Sequence, residues 1–124
     1  MIDATTETET EFAEGQRRYQ ALQDQVRELG FIASGSVLER YTICGTQGCR
    51  CHRDPPLKHG PYLQYTRKVD GKTLTRRLDA AQADRYREWI ANRRKLDELI
   101  AAMDQTSREA AGLLGSRSDP TTHD

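Results

Sequence analysis

Apolar residues near the N-terminus recur at the spacing of a helix. They follow one another at intervals of three, four and seven residues: Phe12, Tyr19, Leu22, Val26 and Leu29. This pattern predicts an amphipathic helix over about residues 11–29, and Gly30 suits the left-handed position that ends many helices. The apolar stripe is narrow, so it packs either on the rest of the domain or on a helix of a partner.

The middle of the chain changes from helical spacing to alternation, which predicts a β-hairpin over residues 62–78. Asp70-Gly71 separates two alternating segments and is typical of a two-residue type I′ turn. That turn pairs Val69 with Lys72 and so fixes which side chains share a face. Strand-forming residues over 37–43 predict a further strand, which would extend the hairpin to three strands.

The register separates the hairpin into an apolar face and a polar face. The apolar face has the pairs Leu63–Leu78, Tyr65–Arg76 and Arg67–Leu74, and the polar face has Gln64–Arg77, Thr66–Thr75 and Lys68–Thr73. Arginine stems can lie over an apolar surface while the charge stays in water. The polar face of the hairpin has no aliphatic residue, so we expect it to face outward.

Helical spacing returns after the hairpin and predicts a long helix from about Ala80 to Met103, reaching Leu114 if the pattern continues. Asp79 and Gln82 form a capping-box pattern at its start. Its apolar stripe consists of Tyr86, Trp89, Ile90, Leu96, Leu99, Ile100 and Met103.

A loop over residues 44–60 contains every cysteine of the chain and two of its three histidines. Its glycines and prolines exclude regular structure, and a loop of this length inside a compact domain needs something to order it. Thiolates and a neutral imidazole suit a closed tetrahedral zinc site. We therefore predict a zinc site over residues 44–59 with the ligands Cys44, Cys49, Cys51 and His59.

His52 is the alternative fourth ligand, but its place directly after Cys51 would strain coordination by both residues. Catalytic use of the cluster is the less favoured interpretation, although Cys51 with His52 or His59 would supply a thiol and a base. Redox sites usually have Cys-x-x-Cys, and zinc deaminases combine it with His-x-Glu. The chain has neither motif, so we predict a structural site and no enzyme.

Composition limits the size of the fold. The chain has 124 residues, of which 35% are hydrophobic and 31% charged; a core this small often needs a metal. Residues 1–11 and the tail at 115–124 are polar, so both are predicted to be disordered. This leaves one domain over 12–103, followed by a helix end and tail over 104–124. No apolar run reaches membrane-spanning length, and we expect a cytoplasmic protein with reduced thiols.

The net charge is zero, yet the charges are unevenly distributed along the chain. Residues 40–95 contain 14 Lys and Arg against 5 Asp and Glu, and the remainder contains 5 against 14. A basic centre is typical of proteins that bind polyanions, although such charges also form ordinary solvated faces. A two-stranded ribbon fits the major groove of DNA. The candidate contacts are Arg50, Arg53, Gln64, Lys68, Arg76 and Arg77.

The order of motifs resembles that of an uncharacterised family of small bacterial and archaeal proteins. The resemblance rests on Cys44-Gly-x3-Cys-x-Cys, on His59-Gly-Pro-Tyr and on the Asp70-Gly-Lys-Thr hairpin followed by a long helix, and it covers about residues 38–100. Members are described only as domains of unknown function, some of them near mobile genetic elements. The resemblance therefore implies a leaning towards DNA, and it favours His59 over His52 as the fourth ligand.

Together these patterns predict an α+β fold with an N-terminal helix, a zinc-held loop, a β-hairpin and a long C-terminal helix. The leading hypothesis is a non-enzymatic, zinc-stabilised module that binds nucleic acid, with DNA preferred to RNA. The alternative hypothesis is a protein-interaction module that keeps the zinc site, forms a homodimer through its amphipathic helices and binds no nucleic acid.

Overall fold

The structure is a computed structural model that describes residues 4–114. In chain order its elements are α1 (Ala4–Glu28), β1 (Ser36–Thr42), a 3₁₀ turn (Arg50–His52), β2 (His59–Val69), β3 (Lys72–Leu78) and α2 (Ala80–Leu114). This is the α+β arrangement that the sequence predicts. The termini predicted to be disordered lie outside the described part of the chain at residues 1–3 and 115–124.

The described chain divides into two compact units, where the sequence predicts a single domain over 12–103. Residues 30–94 form the sheet unit, and residues 4–29 with 95–114 form the helical unit. α2 contributes one half to each unit, and each half has a buried apolar side chain. Ile90 is buried in the sheet unit, and Leu99 is buried in the helical unit.

The sheet is antiparallel, with the order β1-β2-β3. The hairpin register is the predicted one, from Val69 opposite Lys72 to Leu63 opposite Leu78. Asp70 and Gly71 have φ angles of 52° and 78°, as a type I′ turn requires. The predicted third strand is present, and β1 pairs along β2.

The second strand, β2, begins earlier in the chain than the sequence predicts. β2 starts at His59 rather than at residue 62, because Thr42 pairs with His59 after an irregularity that follows Arg40. The last predicted ligand is therefore held in a strand and not in a free loop.

One face of the sheet packs on the first half of α2. The buried side chains are Tyr65, Leu78, Ala83 and Ile90, and Ala33, Val37, Leu63 and Tyr86 pack against them. The rings of Tyr65 and Tyr86 stack with their centroids 4.2 Å apart. The predicted capping box is present at the start of α2. The backbone N–H of Gln82 donates to Asp79 Oδ1 at 2.8 Å, and the backbone N–H of Asp79 donates to Gln82 Oε1 at 3.0 Å. The capping box fixes the residue at which α2 begins, and the packed apolar residues fix which face of α2 contacts the sheet.

The helical unit pairs α1 with the second half of α2. The predicted stripe on α1, from Phe12 to Leu29, is half-buried. Arg18 forms an ion pair with Glu109 at 3.9 Å, and both side chains are more than half exposed. Such a pair contributes little stability, so the packing of the apolar stripes stabilises the unit.

Two predictions for the helices are corrected. α1 begins at Ala4, so helix covers residues 4–11, which the sequence assigns to a disordered terminus; acidic side chains are favourable at a helix N-terminus, and Glu7 lies in the first turn. Ile100, which the sequence assigns to the apolar stripe of this helix, is 53% exposed, while its neighbour Leu99 is 3% exposed. Within residues 4–114, no helix is long and apolar enough to cross a membrane.

Candidate metal centre and outward sheet face

The four predicted zinc ligands converge on one point of the sheet unit. Cys44 lies two residues after β1, Cys49 caps the 3₁₀ turn, Cys51 lies within that turn, and His59 is the first residue of β2. Their ligand atoms all lie within 4.8 Å of one another. The structure thus brings together side chains that are spread over sixteen residues of sequence.

The distances suit a single tetrahedral ion. Cys44 Sγ and Cys51 Sγ are 3.5 Å apart, and Cys49 Sγ is 3.3 Å from His59 Nε2. Zinc–sulfur bonds of about 2.3 Å at tetrahedral angles separate two sulfurs by about 3.8 Å. Small movements of the side chains would therefore complete the coordination, and three thiolates with one imidazole form a closed set of ligands that could hold a metal.

The protonation of the cluster is uneven. Hydrogen bonding with the Thr46 backbone first, and then with His59 and Cys51, lowers the pKa of Cys44 to about 6. Loss of contact with water raises the pKa of Cys51, whose side chain is buried. The pKa values of these two neighbouring thiols are therefore shifted in opposite directions, and it is the thiolate form that binds metals.

His52, the alternative fourth ligand, has a different role. Its Nε2 is hydrogen-bonded to the carbonyl oxygen of Cys44, and it lies outside the convergent group. The 3₁₀ turn is further tied down by the Leu57 amide, which donates to the Arg50 carbonyl at 3.1 Å. His52 therefore holds the backbone beside the first cysteine and does not face the ligand set.

The face of the sheet opposite α2 is cationic; we call it the outward face. Pairing in register places on it Ser36, Leu38, Arg40, Tyr62, Gln64, Thr66, Lys68, Thr73, Thr75 and Arg77. Arg40, Lys68 and Arg77 are exposed, and none of these positions is a carboxylate. Three cations on one face, with no carboxylate among its positions, create a local positive potential although the net charge of the chain is zero.

One aromatic pair organises the centre of the outward face. The Arg77 guanidinium lies 3.8 Å above the ring centroid of Tyr62, which is a cation–π distance. Gln64 lies beside them, and its Oε1 is out of contact with water and has no hydrogen-bond partner. Tyr62, Gln64 and Arg77 thus form a cluster of neighbouring side chains on the outward face.

The candidate nucleic-acid contacts do not form one surface. Gln64, Lys68 and Arg77 share the outward face, whereas Arg76 lies on the side of the sheet that faces α2. Arg50 and Arg53 are exposed in the connection between β1 and β2 and are not part of the sheet.

Sequence reasoning missed two residues of the outward face, Arg40 and Leu38, because both come from β1. Arg40 pairs with Tyr62, and Leu38 pairs with Gln64. The hairpin part of this face has no aliphatic residue, as predicted, and Leu38 adds one from β1, where its side chain is 43% exposed. Only the pairing of β1 with β2 reveals them, and no local motif gives that register.

Comparison with known proteins gives a family and no function. A family model with the description Domain of unknown function (DUF6788) matches residues 12–88. This confirms the predicted resemblance to an uncharacterised family and moves its limits, since the match includes most of α1 and ends in the first part of α2. No curated protein and no solved structure matches the chain.

Proposed function

The chain belongs to the DUF6788 family of domains of unknown function, and we propose that it is a zinc-stabilised module that binds nucleic acid and catalyses no reaction. DNA is the preferred partner. The observation that supports this proposal most is the outward face, where Arg40, Lys68 and Arg77 are exposed without a carboxylate among them.

Zinc fits the convergent cluster better than other common metals. Cysteine thiolates favour zinc, copper(I) and iron–sulfur clusters, and a mixed set of three thiolates with one imidazole is a common structural zinc site. Four protein ligands leave no open position for water or substrate, which is the arrangement of structural rather than catalytic zinc. The proposed role of the metal is therefore to order the connection between β1 and β2.

The outward face suits a phosphate backbone. Its cations can neutralise phosphates, and its threonine hydroxyls can donate to phosphate oxygens. A ribbon of β-strands enters the major groove of B-form DNA, about 12 Å wide, whereas the major groove of A-form RNA is too narrow and deep for side chains to read. This difference in groove shape is why DNA is preferred to RNA in the proposal.

Fluorescence anisotropy with a labelled DNA duplex tests the proposal. We expect the zinc-loaded protein to bind at low salt, with an affinity that falls as salt rises by a slope of about 0.9 per neutralised phosphate. Reversing both charges, with Lys68→Glu and Arg77→Glu, should weaken binding by at least about tenfold, because two phosphate contacts become repulsive.

The matched control is Arg85→Glu, a charge reversal at an exposed position of α2. It should change the affinity much less than Lys68→Glu or Arg77→Glu, each measured as a single variant. Equal losses from all three reversals would show attraction to net charge rather than binding by this face. No binding to any DNA or RNA at low salt would refute the proposal and favour a module for protein interaction.

A further inference from the structure

β3 is an edge of the sheet, and its outer backbone groups are free. In a two-residue hairpin the residues that flank the turn, Val69 and Lys72, form a hydrogen-bonded pair. Pairs then alternate, so Leu74 and Arg76 bond to β2, while Thr73 and Thr75 direct their N–H and C=O groups away from it. No backbone hydrogen bond from the rest of the described chain reaches either threonine.

A cleft of about 350 Å³ lies along this edge, on the side of the sheet that faces α2. It is lined by Tyr65, Arg67, Leu74, Thr75, Arg76 and Tyr86. The Thr75 side chain belongs to the outward face, so it is the free Thr75 backbone that borders the cleft. The cleft therefore combines an open strand edge with side chains that can contact what binds there.

The side chains of the cleft have a definite chemistry. Arg67 and Arg76 are exposed and lie on neighbouring strands, and neither forms an ion pair or a side-chain hydrogen bond within residues 4–114. Leu74 lies opposite Arg67 and two residues before Arg76 on β3, and it is 49% exposed. Two free guanidiniums around an apolar contact match a segment in which acidic and apolar side chains are close together.

We propose that the edge of β3 binds an extended acidic peptide of another protein as a fourth strand of the sheet. The peptide backbone would pair with Thr73, Thr75 and Arg77, whose N–H and C=O groups point outward. Its carboxylates would contact Arg67 and Arg76, and an apolar side chain would cover Leu74. The side chains of Arg67, Leu74 and Arg76 lie on the side of the sheet opposite to the proposed nucleic-acid face, and the inference does not depend on that proposal.

The edge itself distinguishes a peptide from the other occupants. Nucleic-acid phosphates only accept hydrogen bonds, so they would leave the outward carbonyls of β3 unpaired and facing negative oxygens. A second copy pairing through its own β3 would bring Lys72, Arg76 and Arg77 of both strands together without a carboxylate, and like charges on paired strands are destabilising. An acidic strand satisfies both the backbone and the charge.

Amide hydrogen exchange on the full zinc-loaded chain tests the proposal, with a synthetic peptide that repeats Glu-Thr-Val-Thr as the probe. Alternate residues of a strand share one face, so its glutamates and valines would together face Arg67, Arg76 and Leu74. We expect binding to slow exchange at the amides of Thr73, Thr75 and Arg77. The amides of Leu74 and Arg76 already bond to β2 and should change less. A peptide with lysine in place of glutamate is the control and should not bind.

Two variants separate the backbone from the charges. Thr75→Pro removes one outward N–H without touching the ladder to β2 and should weaken peptide binding by at least about tenfold. If this variant does not fold, peptide binding is measured instead with Arg67→Glu and Arg76→Glu, which should weaken it, and with Arg85→Glu as the matched control, which should not. The proposal is overturned if the acidic peptide does not bind, if it binds without protecting Thr75, or if a DNA duplex protects Thr75 equally.

Discussion

The two ends of β2 are ordered by different means. At one end Val69 continues into the Asp70-Gly71 turn and returns at once as β3. At the other end His59 follows a connection with only a 3₁₀ turn and a few backbone hydrogen bonds of its own. The ligand atoms of three cysteines and His59 converge at that end.

This difference separates local from long-range causes of structure. A type I′ turn is specified by two adjacent residues that accept positive φ, and it needs no other part of the chain. The Cys/His end brings together residues that are spread from Cys44 to His59. Closing the loop between them costs conformational entropy, which its few hydrogen bonds do not offset. The turn end should therefore keep its structure without metal, and the Cys/His end should not.

Removing the metal should have the largest effect on this comparison. Structural zinc contributes folding energy to the residues that it joins, whereas the strands that lead to the Asp70-Gly71 turn also pack on α2 through Tyr65, Leu78 and Tyr86. We expect a chelator to accelerate amide exchange over residues 42–62 far more than over residues 66–75. Exchange followed by mass spectrometry, before and after chelation, measures both regions in one sample.

Two histidine variants serve as controls for the chelation. His59→Ala should abolish stoichiometric zinc binding, because it removes a ligand. His52→Ala should keep the zinc and lose only the hydrogen bond to the Cys44 carbonyl, at a cost of about 1 kcal/mol. Metal analysis of the purified variants decides between them, and zinc retained in His59→Ala but lost in His52→Ala would contradict the ligand assignment.

Alanine at Gly60, near the start of β2, and at Gly71, in the turn that follows it, should have unequal effects of intermediate size. A Cβ at Gly60, where φ is 129°, would lie 2.6 Å from the Arg40 carbonyl oxygen, whereas one at Gly71, where φ is 78°, would meet nothing within 4 Å. Gly60→Ala thus adds a clash of about 1–3 kcal/mol to backbone strain of about 1–3 kcal/mol. Gly71→Ala has only a left-handed penalty of about 1–2 kcal/mol.

Urea unfolding of the zinc-loaded Gly60→Ala and Gly71→Ala variants measures the free energy of unfolding of each. The difference between their free energies of unfolding reports how tightly the two strands approach at the Cys/His end. Equal losses would mean that the approach of Gly60 to Arg40 relaxes at no cost, and the contrast between the two ends would then rest on the metal alone.

The parts of the fold that the sequence predicts correctly are those with local causes. The hairpin register follows from Asp70-Gly71, and the start of α2 follows from Asp79 and Gln82. In both cases a side chain or a φ angle acts on residues next to it. Convergence of the cysteines with His59 was also predictable, because so many ligand-type residues rarely share a loop by accident.

The parts that the sequence misses depend on distant partners. Arg40 reaches the outward face only through the pairing of β1 with β2. Residues 4–11 are polar enough to suggest disorder, yet they continue the helix of α1. Ile100 and Leu99 are adjacent and equally apolar, and only the packing of the helical unit determines which is buried. Composition and periodicity do not contain this information.

The smallest effect is expected at a purely local feature, the cap of α2. Asp79→Ala removes the acceptor of the Gln82 amide and should lower the free energy of unfolding by about 1 kcal/mol. Asp79→Asn is the matched control and should be close to the parent, because asparagine caps as well as aspartate. Urea unfolding of the zinc-loaded proteins gives both values. A loss from Asp79→Ala as large as that from His59→Ala would show that a local cap and a long-range metal site stabilise this domain equally, which the contrast between the two ends of β2 does not allow.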